Sequence, residues 1–295
     1  AFKIGHATTR FTDKTAAETA FAHVEHATTG TITEVAKRSR KQQPPTPFNT
    51  TSLQAAAAAE GISPARTMRI AESLYMAGLI SYPRVDNTVY PRTLDLKGIV
   101  DGLASNNPAL RPVCQKVLAG PMKPTRGKTE TTDHPPIHPT GQGNPDSLDG
   151  GQKKLYMLIA RRFLATLMGP ATIENTKLAI DVEGEPFTAS GDVLVDAGFR
   201  EAYPYGLKRD EQLPPLEQGD VIDVRDIVLE AKQTEPPARY SQGRLVQEME
   251  KRGLGTKSTR ASIIERLYTV KYLKNDPIEP SQLGMAIIDA LHTYA

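Results

Sequence analysis

Apolar and polar positions along the chain fall into blocks with two different periods. Residues 1–36 read as a short strand, an amphipathic helix over Thr15–His26 and a second strand over Thr29–Val35. From Thr51 to about Met168 the apolar spacing is mostly three and four, the helical pattern. Leu53–Glu60 is an alanine-rich helix stopping at Gly61, and Ser63-Pro64 supplies an N-cap and first-turn proline for a helix running to Met76. The apolar face of that second helix is expected to use Met68, Ile70, Ala71, Leu74 and Tyr75. Gly151–Leu167 is the strongest helix, with Leu155, Leu158, Ile159, Phe163 and Leu164 along one side. Alternation returns in Lys177–Glu183, Pro186–Ser190 and Asp220–Leu229, and helical spacing resumes from Gln242. The two strand-rich blocks fit one sheet interrupted by a helical insert. Between the first block and the insert lies Lys37-Arg-Ser-Arg-Lys-Gln-Gln-Pro-Pro-Thr-Pro47, read as a basic, proline-rich linker.

The helical blocks repeat one another. Leu53, Gly61 and Thr67 recur at equal offsets as Leu245, Gly253 and Thr259. With one residue of slack, Ile70-Ala-Glu-Ser-Leu-Tyr75 aligns with Ile263-Ile-Glu-Arg-Leu-Tyr268. Each copy is helix, short turn, helix and a brief hydrophobic exit, a helix-turn-helix arrangement that suits DNA-binding modules and also occurs in proteins that never meet DNA.

Composition narrows the class. With 39% hydrophobic and 24% charged residues the chain is a folded protein, and its 295 residues suggest about two domains. No apolar run approaches the ~20 residues of a membrane span, so no membrane partner is expected. The single cysteine, Cys114, has no activating neighbour and reads as a buried, inert thiol in an intracellular protein. A net charge of +2 is too small to mark a nucleic-acid partner, so any such footprint rests on local clusters.

Three segments carry candidate chemistry. In Ser81-Tyr82-Pro-Arg84-Val-Asp86 the proline favours extended backbone, which places Tyr82, Arg84 and Asp86 on one face. A guanidinium there can hold a phosphate bidentately and favours a phenolate, though a free phenol ionises only near pH ~10 and so needs help to act as a nucleophile. The plain alternative is a half-buried tyrosine beside a surface ion pair. Next comes Asp133-His134-Pro-Pro-Ile-His138-Pro-Thr140, whose prolines exclude the helix that a His-x3-His metal pair would need. A histidine donating to a phosphate or carboxylate suits the segment better. Finally, the turn Gly253–Thr256 leads into Lys257, Ser258, Thr259 and Arg260 at a helix start, where an anion is favoured and where Ser258 or Thr259 can equally serve as a cap. The P-loop spacing is absent. Lys37 and Arg38 in the basic linker are further candidates for phosphate contact, or simply a solvated tether.

Taken together these segments resemble the type IA DNA topoisomerases, particularly the archaeal branch. The resemblance rests on Pro45-x-Pro-Phe-x-Thr-Thr-Ser-Leu-Gln54, Arg66-Thr-Met-x-Ile-Ala-x-x-Leu-Tyr75, Gly78-Leu-Ile-Ser-Tyr-Pro-Arg-Val-Asp86, Asp133-His-Pro-Pro-Ile-His-Pro-Thr140 and Leu155-Tyr…Arg161-Arg-Phe-Leu164. It continues through Phe187-x-Ala-x-Gly191, Gly198-Phe199, Arg239-Tyr-Ser, Leu245-Val-x-x-Met-Glu and Gly253-Leu-Gly…Ser258-Thr, covering nearly the whole chain in order. It implies an α+β, multidomain fold: a helical CAP-like (winged-helix-like) tyrosine domain inserted into a discontinuous β-rich hinge domain, followed by a second helical winged-helix-like segment. The expected boundaries are 1–46 and 173–238 for the hinge, 47–172 for the tyrosine domain, and 239–295 for part of the single-strand groove.

The resemblance further implies an isomerase in which Tyr82 forms a 5′-phosphotyrosyl link, another DNA segment passes through the gap, and the break reseals without ATP. Arg84 would hold the scissile phosphate, and His134 would lie near it with Asp86 as its hydrogen-bond partner. Lys257, Ser258, Thr259, Arg260, Lys37 and Arg38 would contact DNA. Single-stranded and negatively supercoiled DNA are the expected partners of a nucleoid-associated, cytoplasmic monomer. Two departures stand out. Val85 takes the place of the family's usual threonine, and no Asp-x-Asp occurs in the 295 residues. The family's Mg²⁺ is therefore expected on an acidic Toprim domain outside this chain, with no metal bound here, so that the chain reads as a fragment unable to relax supercoils alone. A non-catalytic single-stranded-DNA-binding winged-helix protein is the alternative. A tyrosine recombinase is not, because Tyr82 lies too early in the chain.

Overall fold

The computed structural model of the chain describes residues 1–207 and 212–294. In chain order its elements begin with β1 (Gly5–His6), α1 (Lys14–Val24) and β2 (Thr29–Gln42). The helices α2 (Thr50–Ala59), α3 (Pro64–Met76), α4 (Leu96–Asn106), α5 (Arg111–Ala119) and α6 (Gly150–Thr166) follow. Then come β3 (Ala171–Val182), β4 (Glu185–Asp196) and β5 (Val221–Asp223). The chain closes with α7 (Gln242–Lys251), α8 (Arg260–Thr269), β6 (Leu273–Lys274), β7 (Glu279–Pro280) and α9 (Gln282–Tyr294). The class is α+β. No helix among the described residues is long and apolar enough to cross a membrane.

Two compact units emerge. One joins Ala1–Gln43, Pro170–Gly198 and Leu207–Pro236, and the other joins Pro44–Gly169, Phe199–Gly206 and Pro237–Ala295. The first is a five-stranded antiparallel sheet in the order β1-β4-β3-β2-β5. Alternation in β3 buries Leu178, Ile180 and Val182 with Ile32, Phe187, Val224 and Val24 of α1. Glu185 of β4 takes hydrogen bonds from His6 at 3.1 Å and His23 at 2.9 Å, which hold its carboxyl below the usual range and tie β1 and α1 to the sheet.

Two expectations fail in this unit for local reasons. The basic stretch is no tether. Residues 37–42 continue β2, pairing in register from Lys37↔Thr176 to Gln42↔Ala171. Its cations find carboxylates on β3 and β4, Lys37 with Glu174 at 3.9 Å and Arg40 with Asp192 at 2.9 Å. The strand stops just before Pro44-Pro45, which have no N–H to offer a ladder. At the other edge, the strand expected over Asp220–Leu229 keeps only Val221–Asp223, because its partner β2 begins at Thr29, opposite Asp223; Asp226 then turns left-handed (φ 55°).

The second unit is built on the internal repeat. Asn49 caps α2 through a reciprocal pair with Ser52, so the helix starts earlier than its first leucine. Ser63 caps α3, and Asp149 with Gln152 caps α6. Both copies close their first helix the same way. Gly61 (φ 80°) and Gly253 (φ 68°) turn left-handed, and the N–H of the next residue donates to the carbonyl five residues back: Ile62 to Ala57 at 2.9 Å, Leu254 to Met249 at 2.8 Å. The second helices also end alike, with Leu79 N–H on Leu74 O and Tyr272 N–H on Leu267 O at 3.0 and 2.9 Å. After α8 the chain forms the β6–β7 pair, whereas after α3 Ile80 pairs with Pro139. One face assignment shifts: Tyr75 is 42% exposed rather than part of the apolar stripe of α3.

The helices α2 and α7 approach closely at Gly243. A Cβ there would stand 2.8 Å from Ala58 Cβ and 3.2 Å from the Ala55 Cα. Gly243→Ala is therefore expected to lower stability by about 1–3 kcal/mol through overpacking, read as a reduced urea midpoint with unchanged m-value.

Candidate active site

The tyrosine segment is extended without belonging to a sheet, and side-chain hydrogen bonds hold it. Thr50, the first residue of α2, is buried and places its hydroxyl 2.8 Å from the Val85 N–H, which donates to it. The same hydroxyl lies 2.8 and 3.0 Å from the Pro83 and Val85 carbonyls, and the Thr50 N–H donates to Val85 O at 3.0 Å. The result is strict alternation: Pro83, Val85, Asn87 and Val89 are buried, while Tyr82, Arg84, Asp86 and Thr88 stay accessible. Val85 is fully buried, so the position that departs from the family pattern faces the core and touches the site only through its backbone.

A second segment is laid alongside. Ile80 bridges to Pro139 and Phe48 to Ile137, while Ser81 N–H donates to His138 O at 2.9 Å and His138 N–H to the Ser81 hydroxyl at 2.9 Å. Buried Asn87 donates to the carbonyls of Thr131 and His134 at 2.9 and 3.0 Å. These bonds bring the His134 ring to 4.8 Å from the Tyr82 ring, with Tyr75 of α3 edge-on to Tyr82 at 5.4 Å. His134 is exposed and His138 is buried, its Nδ1 2.7 Å from Pro139 O, with burial pushing its pKa down. The two rings thus leave the chain in different environments, and no group of three metal-ligating side chains occurs among the described residues.

Charge organises the rest. Arg84 donates through Nε to Glu72 of α3 at 2.9 Å, through one terminal nitrogen to the same Glu72 oxygen, and through the other to Ser258 O at 3.1 Å. Lys257 lies 3.1 Å from Asp86 and 3.6 Å from Asp133, and the hydrogen bond to Asp86 raises its pKa. Asp133 is held down at about 2 by the Thr131 hydroxyl at 2.5 Å and by the His134 N–H, with Lys257 a smaller contributor.

The sequence-predicted residues divide accordingly. Tyr82, Arg84, Asp86, His134, Lys257 and Ser258 gather, but the expected Asp86–His134 hydrogen bond does not form, because the Asp86 carboxylate turns to Lys257. Arg260 is 8% exposed and donates to the Leu254 and Gly255 carbonyls and to Glu250, so it fastens its own turn. Thr259 stands at the N-cap of α8, yet its hydroxyl accepts from Thr256 N–H at 2.8 Å instead of capping a helical N–H. Lys37 and Arg38 belong to the sheet unit. Sequence reading gave no role to Thr50, Glu72 or Asn87, although Thr50 lies within the quoted Pro45–Gln54 motif. Glu72 left a trace as the acid shared by both copies of the repeat.

Two outcomes follow from this geometry. Thr50→Val, nearly isosteric, strands the buried Val85 N–H and is expected to cost about 1–3 kcal/mol in chemical denaturation. Asp133 should titrate near its lowered value in a carboxyl-detected NMR titration. Its folded pKa lies below the unfolded ~3.9, so its contribution is present above pH ~4 and fades as pH falls toward the folded value, while Thr131→Val moves the midpoint up.

Comparison with known proteins places the chain in a family. A family model described as DNA topoisomerase matches residues 2–295. DNA topoisomerase 1 of Archaeoglobus fulgidus is 42% identical over 287 residues, covering 97% of this chain and 42% of that protein. Human DNA topoisomerase 3-alpha is 33% identical over 264 residues, 88% of this chain and 26% of that protein. The structure of full-length topoisomerase I from Thermotoga maritima superposes with a TM-score of 0.75 at 26% identity, covering 98% of this chain and 48% of that one. The chain spans less than half the length of these relatives and belongs, over that span, to the type IA DNA topoisomerase family.

Proposed function

We propose that this chain carries the strand-cleaving tyrosine of a type IA DNA topoisomerase, with Tyr82 as nucleophile. One observation carries the reading: Tyr82 and Arg84 share the accessible face of a pinned, extended segment, with the exposed His134 ring 4.8 Å from the phenol ring. The Tyr82 oxygen attacks a backbone phosphorus of single-stranded DNA. The new O–P bond forms as the P–O3′ bond breaks, the phenol gives up its proton, and the departing 3′ oxygen takes one. Arg84 neutralises charge on the phosphate oxygens as it develops, and His134 donates to the same group. Reversal reseals the strand, and because one phosphodiester-type bond replaces another, no ATP is needed. Strand passage between the two steps changes the linkage of supercoiled DNA.

Mg²⁺ would supply electrostatic stabilisation in this family, but the residues present do not fit it. Asp86 and Asp133 converge on Lys257, and no third ligand joins them among the described residues. We assign the metal to an acidic Toprim domain outside these residues. In this reading the sheet unit is the hinge, α2–α6 the CAP-like tyrosine domain, and α7–α9 part of the single-strand groove, in a nucleoid-associated monomer that does not relax supercoils without the metal-binding domain.

The test uses a 5′-labelled single-stranded oligonucleotide, this chain, and the acidic metal domain of a related enzyme added in trans. A shortened labelled strand on a denaturing gel is expected only on complementation, abolished by Tyr82→Phe and slowed about a hundredfold by Arg84→Lys, which loses the bidentate grip. Binding with no cleavage in any lane would leave a non-catalytic single-stranded-DNA-binding module.

A further inference from the structure

The face of α3 turned toward the tyrosine segment presents Glu72 and Tyr75, one turn apart. Glu72 takes two hydrogen bonds from Arg84 on a single oxygen, Oε1, one from Nε and one from a terminal nitrogen, and Ser258 O takes a third from the other terminal nitrogen. A guanidinium has five N–H donors, so two remain, one on each terminal nitrogen, enough for two oxygens of a phosphate. We propose that Glu72 is the positioning residue for Arg84, holding the guanidinium side-on so that its free end addresses a phosphate of the bound strand. The inference rests on the reading of Arg84 given above.

Stability alone gives little reason for this pair. Its side chains are 44% and 26% exposed, and an ion pair so open to solvent contributes little to folding. Orientation gives a better one. A long arginine side chain loses rotamer freedom when it grips a ligand, and a partner that fixes it beforehand removes that cost from the binding step. The helix supplies a rigid base, since Glu72 is flanked by buried Ala71 and Leu74. Its counterpart in the second copy makes an internal comparison. Glu265 pairs with Arg69 at 2.9 Å, in the open, and that arginine has no tyrosine two residues before it. The alternative, that Glu72 imitates phosphate and must be expelled by DNA, fits less well, because the free pair of N–H groups needs no expulsion.

The test measures anisotropy of a fluorescein-labelled oligo-dT with this chain and its variants. Glu72→Ala is expected to weaken binding roughly tenfold, as for loss of a hydrogen bond to a charged group. Glu72→Gln, which keeps an accepting oxygen, stays within about twofold of wild type, and Glu265→Ala binds as wild type. Circular dichroism checks that each variant folds. In ¹⁵N-arginine spectra, the Arg84 Nε–H signal, assigned with Arg84→Lys, is resolved and slow to exchange in wild type and Glu72→Gln and is lost in Glu72→Ala. Unchanged binding by Glu72→Ala, or tighter binding by both Glu72 variants, overturns the inference. The functional reading fails differently: wild type binds no oligo-dT, or Arg84→Ala binds as wild type, and the inference falls with it.

Discussion

The site hangs on one hydroxyl. Thr50 sits where α2 begins and meets the backbone of residues 83–85 on both its donor and acceptor sides. A hydroxyl carries one proton and two lone pairs, so it accepts from the Val85 N–H and donates to one of two carbonyls at a time. Burial makes these bonds obligatory, since an unpaired amide in that place would be costly. Once residues 83–85 are pinned, the period of two decides everything further along: Val85 and Asn87 point in, Tyr82, Arg84 and Asp86 point out. Asn87 then carries the order to the second segment by holding the carbonyls of Thr131 and His134.

The second copy of the repeat completes what the first begins. It has no counterpart of that tyrosine, for Asn275 stands where the first copy has Tyr82. It contributes instead the turn between α7 and α8, from which Lys257 reaches Asp86 and Asp133 and the Ser258 carbonyl reaches Arg84. Arg260 makes that turn rigid from within. Thr51 of α2 and Arg260 both engage Glu250 of α7, so the acid joins the two copies behind the turn.

Much of this was legible in the sequence, and the limits are physical. Helix periods, the caps at Ser63 and the closing glycines Gly61 and Gly253 depend on neighbours a few residues away, and the structure has them where the pattern puts them. The convergence of Tyr82, Arg84 and Asp86 followed from backbone alternation alone. What did not follow were partnerships across the chain. Arg260 reads as a free cation until the carbonyls of its own turn surround it, and Lys37–Gln42 reads as a tether until β3, some hundred and thirty residues on, pairs with it. Glu72 carries no local motif and gains meaning only from where α3 points it.

The pairing of Gln42 with Ala171 has a consequence for how the chain is made. These residues flank the helical insert, so the sheet holds both ends of the insert side by side. During synthesis β2 emerges long before β3, and it must wait with its long edge unpaired. Closing so large a loop from an unfolded insert would be slow, whereas an insert that has folded first shortens the search. The long pairing of β2 with β3 is thus non-local, and the ends of β2 and β3 that meet at Gln42 and Ala171 come together only after the whole helical insert has left the ribosome.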